Sequence, residues 1–267
     1  MIGMRNSFRV WLDGLILAFQ LLTIVPLSKQ VQWDEARAKA SVASYPLVGF
    51  ALASLLSAQW LLLANVTFIS PLVAALWLLT FSAFFSGGLH LDGWTDFHDA
   101  VFSRRSREHK LDIMKDPQVG TFGVLALLLL LGWRFVFIFE LFRLAPQTVL
   151  LAVFLIPILV RLLLGWQLLL GRFAREDGMA AALKSAKTKG NIAIYSLWTI
   201  VLLGFLLFVS PIYLLLPGAA FLFLVVWQKW VVYQLGGITG DTVGAGAEGG
   251  ETMLWGIVWL LLLLDMV

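Results

Sequence analysis

Cysteine is absent from this sequence of 267 residues, and charged residues are scarce. Without cysteine, the chain can form neither a disulfide framework nor a thiolate metal site. Only 13% of the residues are Asp, Glu, Lys or Arg, whereas an ordinary soluble domain carries about 25%. The net charge of +3 is too small to indicate a nucleic-acid partner. The chain therefore lacks the polar surface that a soluble fold needs, and we expect its outer surface to face a lipid bilayer.

Apolar residues are abundant instead, at 60% of the chain with a mean hydropathy of +0.90. A run of about 20 apolar residues crosses the hydrocarbon core as a helix. Seven such runs are present, at roughly 42–64, 67–88, 119–142, 147–170, 191–210, 217–235 and 252–266. The run 10–27 is an eighth, weaker candidate. Because Arg5 and Arg9 before it also favour the cytoplasmic side, we predict an interfacial or re-entrant helix there. The alternative is eight spans with the N-terminus outside. The predicted fold is all-α, a single membrane-embedded domain over residues 1–267 with about seven transmembrane helices.

Four polar segments separate these runs, at 28–40, 90–118, 172–190 and 236–251. Lys and Arg concentrate in the first three, and such residues favour cytoplasmic loops. If segment 28–40 lies inside, seven spans place all four segments on the cytoplasmic face. The sequence therefore predicts a multi-pass protein of the cytoplasmic (inner) membrane whose chemistry faces the cytoplasm.

The segment 90–118 holds six of the sixteen acids and all three histidines. Asp92, Asp96 and Asp99 have the spacing i, i+4, i+7, which forms one stripe on a helix. Asp112 and Asp116 form a second i, i+4 pair, expected on a second helix. Two such stripes placed face to face would repel unless a cation lay between them. Carboxylates together with substrate phosphates suit Mg²⁺, and Mn²⁺ is an alternative.

A simpler interpretation of the same segment is a solvated amphipathic loop whose acids are balanced by neighbouring Lys and Arg. It does not explain why the aspartates adjoin a span, with Trp94 and Phe97 between them. Acids at a membrane boundary are costly and are usually functional. His90 is open to three interpretations: a base, a phosphate contact or a hydrogen-bonded boundary residue.

Two further features of the sequence carry expectations. The segment 236–251 contains seven glycines around Asp241 and Glu248, and glycine lets backbone N–H groups approach phosphate closely. We predict a phosphate-binding loop there.

Arg161 lies midway along a span and needs a partner, either Glu140 or the acidic site. As an alternative, Arg134 and Glu140 would pair along their own helix.

Four ordered blocks of the chain resemble the cobalamin synthase family, the adenosylcobinamide-GDP ribazoletransferases. The main block, "GGLHLDGWTDFHDAVFSRRSREHKLDIMKDPQVGTFG", is similar to the family pattern G-x-H-x-D-G-x-x-D-x-x-D followed by R-x-x-x-x-[IM]-M-x-D-x-x-x-G-x-x-G. The other blocks are "LLTIVPL" with "ARAKASVASYPLVGF", then "RFAREDGMA", and finally "GGITGDTVGAGAEGGE". Together they extend the resemblance over the whole chain.

The resemblance implies a Mg²⁺-dependent transferase of vitamin B12 assembly. Its substrates would be adenosylcobinamide-GDP and α-ribazole or α-ribazole 5′-phosphate, and its products adenosylcobalamin, or its 5′-phosphate, and GMP. Homo-oligomers or a complex with other cobalamin-assembly enzymes are also compatible. Carried over to this sequence, the metal ligands are Asp92, Asp96, Asp99 and Asp116. The catalytic candidates are His90, Asp92 and Asp112, and the substrate-binding candidates are Arg175, Gly237, Gly240, Asp241 and Glu248.

Two rival functions share some of these features. CDP-alcohol phosphotransferases also use clustered aspartates with Mg²⁺, but their D-G is followed by A-R and a glycine, where this chain has Asp96 and Phe97. Ion-coupled transporters also carry membrane carboxylates, but their sites tend to lie at the bilayer midplane on broken helices. The acids here lie in loops and at span ends, which favours the transferase.

Overall fold

The structure is a computed structural model, which describes residues 2–66, 68–147 and 149–266. It is 79% helical, and its described residues contain no strand. The helices are α1 (Ile2–Leu22), α2 (Glu35–Ala43), α3 (Tyr45–Ala64), α4 (Pro71–Phe85), α5 (Leu89–Phe102), α6 (Arg107–Ile113), α7 (Thr121–Leu144), α8 (Leu150–Leu170), α9 (Met179–Ala182), α10 (Lys189–Val209), α11 (Leu215–Leu235) and α12 (Gly240–Leu263). Short 3₁₀ turns follow α9 and precede α11. The all-α prediction is confirmed.

Several of these helices are long and apolar enough to cross a membrane. Within the described chain, five qualify by length and composition: α3, α7, α8, α10, and α11 with its preceding turn. A sixth is reached if α4 and α5 are one bent span. The protein is therefore a multi-pass membrane protein, with fewer qualifying helices than the seven spans predicted. The difference lies at 67–88, where α4 is only 15 residues long, and at 252–266, which forms the apolar end of α12.

The acidic helix α5 follows a sharp bend in the chain. Gly87 and Gly88 have φ angles of 68° and 73°, a region that favours glycine. Across this break, the axes of α4 and α5 differ by 87°. The bend ends the apolar segment and turns the aspartate-bearing helix across the bundle, where it packs on α7 and α12.

Helix α8 forms the centre of the bundle, and 83% of its apolar window is buried inside the protein. Helix α3 packs closely along it, since a Cβ at Gly49 would lie 2.9 Å from the carbonyl oxygen of Pro157. On the other side, α8 contacts α12. The central position of α8 explains why its sequence is apolar on all faces.

The glycine-rich segment 236–251 is a loop only over residues 236–239, so the prediction was wrong for residues 240–251, which are helical. Helix α12 begins at Gly240, where the hydroxyl of Thr239 accepts a hydrogen bond from the N–H of Thr242. The later glycines face other helices: a Cβ at Gly250 would lie 2.6 Å from a methyl of Leu163. These glycines allow close helix packing.

A buried ionic cluster joins α7 to α12. Arg134 donates to the carboxylate of Glu248 at 2.7 Å, and its guanidinium lies 3.6 Å from Glu251. The expected pairing of Arg134 with Glu140 is wrong, because Glu140 accepts from Arg143. The same contact rules out Glu140 as the partner of Arg161, whose charged neighbours are Glu251 and Glu248. Glu248 is therefore a buried structural residue in this fold and not part of a phosphate loop.

Candidate active site

Helices α5 and α12 cross at very short distance. A Cβ at Gly93 would lie 2.7 Å from the carbonyl oxygen of Asp241 and 2.8 Å from its Cα. Only a residue without a side chain permits this approach. The crossing places the first turn of α12 directly against the acidic stripe of α5.

Three carboxylates gather around this crossing. Asp92 is exposed and Asp96 is half-buried, and the charges of Asp92 and Asp241 both act on Asp96. Asp92 and Asp241 also act on each other. Like charges held this close repel in the absence of a cation. The carboxylates therefore come together between α5 and α12, and not between α5 and α6 as predicted.

A short stretch of extended chain brings an arginine to this group. Phe173 and Ile238 form an isolated parallel bridge, in which Ala174 donates to Ile238 and Ile238 donates to Arg172. A Cβ at Gly237 would lie 2.6 Å from the nitrogen of Ala174. Gly237 was predicted to bind phosphate. In the structure it allows the two chain segments to approach closely.

Arg175 follows this bridge and lies between two aspartates. Its Nη2 is 3.5 Å from Asp241, and its Nε is 3.6 Å from Asp177. Its Nη1 is buried and has no hydrogen-bond partner in the described part of the chain. A hydrogen bond from Lys115, together with the charges of Lys115 and Arg175, lowers the pKa of Asp177 below its usual value. Arg175 thus presents an unused donor beside the carboxylates, as an anionic ligand requires.

Asp99 belongs to the same stripe but has different partners. Its two carboxylate oxygens accept the N–H groups of Gly120 at 2.7 Å and Gly123 at 2.8 Å. These donors lie at the start of α7, where backbone N–H groups have no partner within the helix. Asp99 is also buried. It therefore holds the beginning of α7 against α5, while its charge also acts on Asp96. Its role as a metal ligand stays a prediction.

The second predicted acidic pair does not form a helical stripe. Helix α6 ends at Ile113, so Asp112 lies in its last turn and Asp116 lies beyond it. Both side chains are exposed, and Asp116 accepts the N–H of Gln118 in a local turn. Helix α6 packs on α11 instead, where Lys110 donates to Gln234.

His90 lies behind the carboxylates and not among them. It is buried against α12, where a Cβ at Gly244 would lie 3.1 Å from its Cα. Its charged neighbours are Arg161 and Glu251 of the buried cluster. It also lines a small cavity together with Asp241. The geometry makes His90 a boundary residue of the site.

The carboxylates around the crossing offer oxygen atoms, the ligands that a divalent metal ion such as Mg²⁺ prefers. Within residues 2–66, 68–147 and 149–266, no three acidic, histidine or cysteine side chains lie close enough to hold a metal by themselves. Mg²⁺ is usually bound by one or two carboxylates plus substrate phosphates and water. One or two of the carboxylates Asp92, Asp96 and Asp241 therefore fit an ion that arrives with a phosphate ligand.

Sequence reasoning missed Gly93 and Gly123 as residues that shape the site. A Cβ at Gly123 would collide with the carboxylate of Asp99 and with Thr95. The sequence did hold a signal for both. Gly93 lies within the acidic stripe, in "LDGWTD", and Gly123 lies in "GTFG", at the end of the main block that resembles the family. They act through close backbone approach and carry no chemistry of their own.

Comparison with known proteins shows the family of this chain. The family model described as cobalamin-5-phosphate synthase matches residues 14–259. The chain belongs to this family. A relative from Halalkalibacterium halodurans, named adenosylcobinamide-GDP ribazoletransferase, is 43% identical over 94% of this chain and 97% of its own. A relative of the same name from Geobacillus sp. strain WCH70 is 37% identical over 93% and 96%. No solved structure matches the chain.

Proposed function

We propose that this protein is an adenosylcobinamide-GDP ribazoletransferase of cobalamin biosynthesis. Membership of the cobalamin-5-phosphate synthase family and the names of its relatives support this activity. The observation that carries it is the crossing of α5 and α12 at Gly93, which brings Asp92, Asp96 and Asp241 together beside Arg175. Carboxylates next to an unpaired guanidinium donor suit a pyrophosphate substrate.

The reaction exchanges one phosphorus–oxygen bond for another. The ribose hydroxyl oxygen of α-ribazole, or of α-ribazole 5′-phosphate, attacks the phosphorus on the adenosylcobinamide side of the pyrophosphate. The bond to the GMP oxygen breaks, GMP leaves, and the hydroxyl proton passes to a base. Asp92 is exposed and Asp96 is half-buried, whereas His90 is buried. A carboxylate is therefore better placed than His90 to take the proton.

Two parts of the chain position the phosphates. Arg175 directs its unpaired Nη1 to a phosphate oxygen, a charge-assisted bond that stabilises the leaving group. One or two of the carboxylates Asp92, Asp96 and Asp241 would hold Mg²⁺, which when bound neutralises the charge of the pyrophosphate. Asp99 keeps the start of α7 in place beside them.

We further propose that the site opens to the cytoplasm from the inner membrane. The supporting observations are the Lys and Arg residues in the segments that surround the carboxylates, of which Lys115 and Arg175 contact Asp177. Homo-oligomers or complexes with other cobalamin-assembly enzymes stay predictions from the resemblance.

One assay tests the proposed activity. The purified protein in detergent or nanodiscs receives adenosylcobinamide-GDP, α-ribazole 5′-phosphate and Mg²⁺, and GMP release is followed. We expect GMP together with adenosylcobalamin 5′-phosphate, and a loss of both when EDTA is added. Folded protein that releases no GMP above background would overturn the assignment.

Asp92→Asn tests the carboxylate group within this assay. Removing one carboxylate charge weakens the binding of Mg²⁺, the ion that would neutralise the phosphate charge, so kcat should fall by about two orders of magnitude or more. Glu35→Gln is the matched control, since Glu35 is exposed and its ion pair with Lys39, at 3.4 Å, is exposed as well. Full activity in Asp92→Asn would remove Asp92 from the mechanism.

A further inference from the structure

A cavity of about 90 Å³ lies directly behind the carboxylate group, among α1, α3, α5, α8, α9 and α12. One end is polar, because Asp241 and His90 line it. The rest of its wall is mostly apolar and includes Leu21, Leu164 and Leu183, together with the ring of Tyr45. Asp241 is therefore shared between this cavity and the carboxylates at the crossing.

A ligand with one polar and one apolar end fits such a cavity in a single orientation. We propose that the cavity binds the flat apolar base of the acceptor riboside, an inference that rests on the proposed transfer to ribazole. The base would lie among the leucines, and the ribose would extend past Asp241 toward Asp92 and Asp96. That orientation carries the attacking hydroxyl to the phosphates.

Other parts of the two substrates fit this cavity poorly. Guanine has several donors and acceptors, and the few polar groups here, mainly Asp241 and His90, would leave most of them unsatisfied. The corrin macrocycle is many times larger than the cavity. A benzimidazole base has little polar surface and loses few hydrogen bonds on entry, so it is the favoured occupant.

Entry of the base requires the cavity to widen. Cavities that bind a single benzene ring measure about 150 Å³, which exceeds the 90 Å³ found here. Met179 lines the wall, is 47% exposed and stands at the start of the four-residue helix α9. Its unbranched side chain adapts readily to a ligand. Met179 therefore sets the size of base that enters.

Gly240→Ala tests the proposal by narrowing the cavity. The added Cβ would lie 3.7 Å from the Cβ of Met179 and 3.9 Å from the nitrogen of Ala180, so the helix tolerates it. Isothermal titration with α-ribazole, without donor, should show binding about tenfold weaker than in the unmodified protein, as one methyl group in an apolar pocket typically causes. The affinity for adenosylcobinamide-GDP should stay unchanged.

Gly132→Ala is the matched control, because a Cβ at Gly132 meets nothing within 4 Å. An unchanged α-ribazole affinity in Gly240→Ala, or an equal loss for both substrates, would overturn the cavity assignment.

Met179→Ala gives an independent test: kcat/KM for ribosides with bulkier bases should rise relative to α-ribazole, and an unchanged ratio contradicts the proposal. Absence of transfer in the unmodified protein would instead overturn the proposed function, while the titration still reports on the cavity.

Discussion

Asp96 and Asp99 stand three residues apart on one helix, yet their surroundings give them different tasks. Asp96 is half-buried among the charges of Asp92, Asp241 and Asp99 itself. Asp99 is buried, and both of its oxygens accept backbone N–H groups from the start of α7. A carboxylate satisfied by two backbone donors stabilises the fold, whereas one held among like charges is poised for a cation.

Asp99→Asn should therefore act on stability first. Asparagine retains one acceptor oxygen and turns an NH₂ group toward a backbone N–H, which costs about 1–3 kcal/mol in the free energy of unfolding. Asp92→Asn should change that free energy little, because the repulsion that it relieves is offset by the loss of a negative charge in the first turn of α5. Unfolding of both variants in mixed micelles, followed by circular dichroism, measures the difference. Equal stabilities would contradict the structural role of Asp99.

At the level of helices, the site depends on how closely α5 and α12 approach. The crossing at Gly93 leaves no room for a side chain. Gly93→Ala should push the helices apart by about 1 Å, and misplacement of that size lowers kcat by about 10²-fold. Gly132→Ala, which adds a methyl group in open space on α7, is the control. The variant should stay folded by size-exclusion chromatography, and near-normal kcat would show that the crossing does not position the carboxylates.

The bridge between Phe173 and Ile238 gives a second test at this level. Gly237→Ala should separate the two segments and displace Arg175 from Asp241. Since Arg175 is proposed to hold a phosphate oxygen, the KM for adenosylcobinamide-GDP should rise about tenfold or more. The Kd for α-ribazole is expected to change less, because Arg175 does not line the cavity. A change confined to α-ribazole would contradict this role for Gly237.

These elements also show what the sequence could and could not predict. The i, i+4, i+7 spacing of Asp92, Asp96 and Asp99 correctly predicted helix α5, because such periodicity is a local property. The glycines of α12 were assigned to a loop, since glycine is unfavourable in helices; their purpose appears only when Leu163 and His90 are seen to pack against them. The contact of Gly93 with Asp241 joins residues far apart in sequence, so no local pattern indicates it.

Across the whole molecule, one buried ionic cluster ties the site to the bundle. Arg134 of α7 contacts Glu248 and Glu251 of α12, and all three side chains are buried. Both helices also reach the site: the start of α7 contacts Asp99, and the first turn of α12 carries Asp241. Separation of α7 from α12 would therefore disturb the site from a distance.

Arg134→Leu removes the cation and leaves two buried carboxylates without it. Loss of one partner from a buried pair costs about 3–5 kcal/mol, so this variant should unfold at much lower denaturant concentration. Arg143→Leu is the control: its pair with Glu140 is partly exposed, and such pairs contribute about 0–1 kcal/mol. Adding Glu248→Gln to Arg134→Leu should restore part of the stability, because one uncompensated charge is removed. If Arg134→Leu were no less stable than Arg143→Leu, the cluster would not hold α12 in place, and the crossing with α5 would have to be fixed by glycine packing alone.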